Sequence, residues 1–145
     1  MLLYKSGRFH ANGVSFSLPD GFYLEADMEG IYECALSAWS PDKNIRFTWE
    51  IYKDDEDSME ALRSYVAPQT GYRPLTDITI LKVNRLEGLA LFYRGERVQI
   101  FEARFAIPSG GCFAFGAEVK DESILRLYET EVFKAALSGI DLDNE

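Results

Sequence analysis

Arg46-Phe47-Thr48-Trp49-Glu50-Ile51-Tyr52 is the stretch on which the fold turns. Successive side chains of a strand leave opposite faces, so Phe47, Trp49 and Ile51 share one side while Arg46, Thr48, Glu50 and Tyr52 share the other. A helix would scatter these residues around its axis. The stretch therefore predicts a strand with one face on a core and a polar face turned away from it.

Working outward, Ser40-Pro41-Asp42-Lys43-Asn44 is a turn, and Ile31 to Ser40 and Phe22 to Ala26 read as strands on either side of a turn at Glu29-Gly30. Val14, Phe16 and Leu18 alternate in a further strand that Pro19-Asp20-Gly21 ends. On the other side of the central stretch, Asp57 and Glu60 form a capping-box-like pair, and Met59, Leu62 and Val66 recur at helical spacing, which predicts a helix near 58–67. The loop 67–77 follows. A four-strand meander is expected at about 78–84, 89–94, 97–107 and 112–119, with turns at Glu87-Gly88, Gly95-Glu96 and Ser109-Gly110-Gly111.

Two of these strands carry extra information. Both parities of Leu89 to Tyr93 are apolar, as in a central strand covered on both faces. The apolar parity flips at Ile100-Phe101, which predicts a β-bulge or a change of buried face. The chain closes with an amphipathic helix over 122–138, capped by Asp121, with Leu125, Tyr128, Val132 and Ala136 as its stripe. Gly139 stops it, and Ile140 packs back on its last turn. The fold class expected is α+β: one domain over 1–145, an antiparallel sheet of about six to eight strands with two main helices, arranged as an α/β/α sandwich.

Composition narrows the function classes. With 47% apolar and 27% charged residues, the chain has what a globular core needs. The net charge of -9 is concentrated in Asp54-Asp55-Glu56-Asp57, Glu60 and the segment from Asp141 to Glu145. Elsewhere acids and bases nearly balance. No Lys/Arg cluster interleaved with aromatics is present, so nucleic acid is not the expected partner. Met1-Leu2-Leu3-Tyr4-Lys5 is too short an apolar run for a secretory leader, and no stretch reaches about 18 apolar residues, so a soluble, cytoplasmic chain without a membrane span is expected. Cys34 and Cys112 lack metal or redox spacing and read as buried free thiols.

Candidate chemistry is sparse. His10 is the single histidine, which removes zinc sites built on two imidazoles and leaves any Ser-His-Asp arrangement dependent on a residue in an N-terminal turn. The acidic run lacks the Gly and Glu positions of an EF-hand loop and reads as helix entry. Ser109-Gly110-Gly111 precedes a strand, not the helix that would hold a phosphate. No catalytic residue, cofactor site or metal site is assigned. Acid pairs obey no spacing rule, so Glu33, Glu50, Glu102 and Glu118, all in expected strands, stay open as a carboxylate-lined pocket. Aromatics make up 14% of the chain, and Tyr52, opposite the apolar parity of its strand, and Tyr72 with Arg73, in the long loop, are the candidate protein-binding residues.

Gly13-Val14-Ser15-Phe16-Ser17-Leu18-Pro19-Asp20-Gly21-Phe22 resembles the opening strand and Leu-Pro-x-Gly-aromatic turn of the PsbP-like and DcrB-like small α/β/α domains. That resemblance implies an antiparallel sheet flanked by helices and an accessory, chaperone-like role, with no catalytic residues to carry over. The expectation is a non-catalytic protein-binding module whose partner is another protein. The alternative is a small enzyme or ligand-binding domain working through a carboxylate-lined pocket. The oligomeric state is left open, a homodimer included.

Overall fold

The alternation builds the strand it predicts: Ile45, Phe47, Trp49 and Ile51 are buried, and Arg46, Thr48, Glu50 and Tyr52 are half-buried on the opposite side. The computed structural model describes residues 2–25, 32–52, 73–74, 78–95, 97–120 and 130–143. In chain order they form β1 (Leu3–Lys5), β2 (Arg8–Ala11), β3 (Val14–Phe16), β4 (Tyr23–Leu24), β5 (Tyr32–Trp39), β6 (Ile45–Tyr52), β7 (Arg73–Pro74) and β8 (Thr79–Val83). They continue as β9 (Leu86–Gly95), β10 (Val98–Ala106), β11 (Cys112–Val119), α1 (Glu131–Ser138) and β12 (Asp141–Leu142). The helix expected near 58–67, the acidic run before it, and Asp121, Leu125 and Tyr128 lie outside the described residues.

Two antiparallel sheets result. The small one runs β1-β2-β3-β12, and the large one runs β4-β5-β6-β11-β10-β9-β7 with β8 also paired to β9. This corrects the α+β, α/β/α expectation with its two main helices: the described residues are mostly β, and they contain one helix of eight residues. The signal was weak because β1, β2 and β12 have four residues or fewer, too short for any period to show. They exist through pairing, Leu3 opposite His10, Phe9 opposite Phe16, and Asp141 opposite Ser15.

The core lies between the sheets. Phe16 of β3 stacks on Trp49 at 5.2 Å and meets Phe113 at 5.7 Å, so small-sheet aromatics interdigitate with the inner face of the large one. Beside them α1 inserts Phe133, which meets the ring of Phe101 at 5.0 Å. Thr130 caps this helix, its Oγ1 accepting from the Phe133 N–H at 3.3 Å. Phe133 and Ala136 are buried while Val132 is half-buried, so the stripe is centred one residue later than expected. Gly139 ends the helix, and Ile140 is fully buried against the core.

The meander over β8 to β11 forms, with two corrections. The first turn is Asn84-Arg85, where Asn84 takes φ 53, and Gly88 stands inside β9 opposite Phe105. Asn tolerates the left-handed region, so it makes the turn that Gly88 was expected to make. The flip at Ile100-Phe101 is no bulge, because β10 stays in register with β9 and β11 throughout. Ile100 instead joins Ile78 and Leu89 around Leu91 and Tyr93, a second apolar cluster. The register shift falls in β5, between Tyr32 and Cys34.

The C-terminal acids hold the chain end in place. Asp141 accepts from Arg85 Nε at 3.2 Å, Asp143 Oδ1 is 2.6 Å from His10 Nδ1, and Asn84 donates to the carbonyls of Ser138 and Ile140 at 2.9 and 2.6 Å.

Candidate functional site

The polar parity of β6 is one row of a larger pattern. Antiparallel register aligns Trp39, Arg46, Glu118, Ile100 and Tyr93 across β5, β6, β11, β10 and β9. The next outward-facing line is Ser37, Thr48, Gly116, Glu102 and Leu91, and the one after it is Ala35, Glu50, Ala114, Arg104 and Leu89. Charged residues thus surround small ones. The middle of the face sinks into a cleft of about 300 Å³, bordered by Arg46, Glu50, Glu102 and Glu118, with Ser37, Thr48 and Gly116 in its lining and Tyr93 and Ile100 at one wall. Gly116 makes room for the Thr48 side chain in this lining: a Cβ there would stand 2.5 Å from Thr48 Oγ1.

Ion pairs order the rim. Arg46 reaches Glu25 at 3.4 Å and Glu118 at 3.9 Å, and its guanidinium lies over the Trp39 ring at 5.6 Å. Glu25 also accepts from Trp39 Nε1 and from Ser37 Oγ at 2.9 Å, and these two hydrogen bonds hold its carboxyl below the usual range. Arg104 stands 3.8 Å from Glu102, with its guanidinium over the Tyr52 ring at 5.0 Å.

Glu102 is the unusual member. Burial pushes its pKa up, Arg104 opposes that shift, and the Glu50 charge adds to it. Among the described residues, Glu102 Oε2 and Arg46 Nε are buried with no hydrogen-bond partner. An orphan acceptor and an orphan donor therefore sit on this cleft.

The raised Glu102 pKa has a consequence for stability. The unfolded chain ionises Glu102 first, so stability on its account is full below the ordinary value of 4.5 and is lost as pH climbs through the folded value. Glu102→Gln removes that loss. We expect the variant to melt about 3 °C higher at pH 7, on the order of 1 kcal/mol, and to lose this advantage below about pH 4. Thermal melts at both pH values check this, and a variant no more stable than the parent at pH 7 contradicts it.

Of the candidate residues that the sequence offers, Glu50, Glu102 and Glu118 come together, while the Glu33 side chain lies outside the described residues. Tyr52 is half-buried on the outward face under Arg104. Tyr72 lies outside the described residues, as does the side chain of Arg73, whose backbone pairs with Arg94. β6 and β7 are four steps apart in the large sheet, roughly 19 Å, so Tyr52 and Arg73 do not form one compact patch. Local sequence does not single out Arg46, Arg104, Thr48 and Gly116 as site residues; their signal is outward parity next to a small residue on the neighbouring strand.

His10 is no turn residue; it lies on β2 with Ser15 opposite it on β3. Its Nδ1 faces Asp143 and its Nε2 lies 3.3 Å from the Lys5 carbonyl, while Ser15 Oγ accepts from Arg8 Nη2 at 3.0 Å. The His10 Nε2 thus faces a backbone carbonyl and not the Ser15 hydroxyl, so the three side chains are not aligned as a Ser-His-Asp relay. Among the described residues, the Cys112 side chain is buried, no group of three or more His, Cys, Asp and Glu could hold a metal ion, and no helix is long and apolar enough to cross a membrane. Comparison with known proteins finds no family model that matches the chain, and no curated protein matches it.

Proposed function

We propose that this chain is a non-catalytic binding module whose recognition site is the charged cleft on the outward face of the large sheet, with Tyr52 at its border. One observation carries the reading: a buried Glu102 oxygen with no hydrogen-bond partner among the described residues, on a side chain that lines this cleft. An unpaired buried acceptor costs stability, and a ligand that donates to it recovers that cost on binding. The ion pairs of Arg46 and Arg104 hold the neighbouring carboxylates in place beforehand, which lowers the entropy lost on association.

A second reading has an observation in its favour. Glu102, driven toward its neutral form, stands near the charge of Glu50, and two carboxyls in unlike environments are the raw material of acid/base chemistry. The same cleft would then serve a small enzyme or ligand-binding domain.

The cleft reading is tested by amide chemical shifts in the presence of butylammonium, butyrate and 1-butanol, which differ only in head group. At least one is expected to shift Thr48, Glu102 and Gly116 selectively and saturably. If all three leave these amides unmoved, the site is abandoned.

A further inference from the structure

Charge and geometry narrow what the cleft takes, on the premise that it is a binding site. Three carboxylates and one guanidinium border it, and that guanidinium, Arg46, is already paired with Glu25 and Glu118. The excess is negative, and the buried Glu102 Oε2 calls for a donor. Arg104 offsets Glu102 alone and Arg46 is shared between Glu25 and Glu118, so an anionic ligand would still meet an excess of like charge. A bare metal ion is no better suited, since no described cluster could hold one: Glu50, Glu102 and Glu118 stand on three strands and in three successive lines of the face. Lines on one face are about 7 Å apart along a strand, a span suited to an extended molecule. Tyr93 and Ile100 supply an apolar wall along which methylenes can lie. A cavity of about 300 Å³ admits a short chain and excludes a folded segment.

The geometry points to a primary alkylammonium group on a short methylene stem as the ligand of this cleft, its N–H donors on Glu102 and its stem along Tyr93 and Ile100. A free diamine and a lysine side chain of a partner protein share that chemistry.

Calorimetric titration of the full chain with 1,4-diaminobutane, with N-acetyl-lysine methylamide and with butyrate tests the assignment. At least one amine is expected to bind and butyrate to give no heat, and Glu102→Gln, folded by its thermal melt, is expected to weaken amine binding at least tenfold. Tighter binding of the diamine identifies a free amine as the source, and tighter binding of the lysine derivative identifies a partner side chain. Amine binding unchanged in Glu102→Gln overturns the assignment. So does butyrate or 1-butanol shifting the cleft amides while neither amine binds, although the cleft then survives as a binding site. Silence from every probe ends both.

Discussion

Phe16→Ala will cost about 3–5 kcal/mol of folding stability. The side chain is fully buried, stacks on Trp49, and touches Phe9 at 5.5 Å and Phe113 at 5.7 Å. It is the small sheet's main insertion among the aromatics of the large one, and it comes from a strand of three residues that cannot shift to refill the space without breaking its pairing with β2 and β12. A loss of this size is about a fifth or more of the stability of a typical domain. Urea unfolding should show a lower midpoint with an unchanged slope. A loss below about 1 kcal/mol would mean that the two sheets do not share a core.

Gly88→Ala is the second large effect, at about 3 kcal/mol, the upper part of the range for an overpacked interior. A Cβ at this position would stand 1.9 Å from the Arg104 carbonyl oxygen and 2.8 Å from Phe105 Cα, both backbone atoms of β10. β10 is hydrogen-bonded on both sides, so it cannot yield to a methyl as a flexible side chain would. The displacement would also reach the cleft, because Arg104 and Glu102 lie on the strand that must move. Denaturant unfolding measures the cost. A loss under about 0.5 kcal/mol would place Gly88 in an open turn, as its sequence context suggests, and not within β9.

The contrast at Gly88 shows where local reading stops. Glu87-Gly88 has the composition of a turn, and so does Asn84-Arg85 with less emphasis. Which one bends the chain depends on the partner strand, because pairing Val83 with Leu86 puts Leu86 into the core and brings Gly88 against a backbone that leaves no room for a side chain. The helix is a milder case. The periodicity of 131–138 announces a helix, but a rotation of about 100° separates Val132 from Phe133, and only the aromatic neighbours Phe101 and Phe115 decide which of them is buried.

What the sequence determined by itself is the set of strands long enough to show a period: the alternation of Ile45 to Tyr52, the two-sided Leu89 to Tyr93, the meander down to Val119, and the stop at Gly139 with Ile140 returning to the core. Side-chain parity is a property of the backbone, so it survives any arrangement of neighbours. The tertiary structure decided the rest. Strands of two to four residues have no period to read and form by pairing with distant segments, as Asp141-Leu142 does with Val14-Ser15. That pairing turned an expected α/β/α plan into two sheets face to face. The cleft is likewise a product of register: Glu50, Glu102 and Glu118 lie far apart in the chain, and cross-strand alignment, not any spacing, brings them around Gly116.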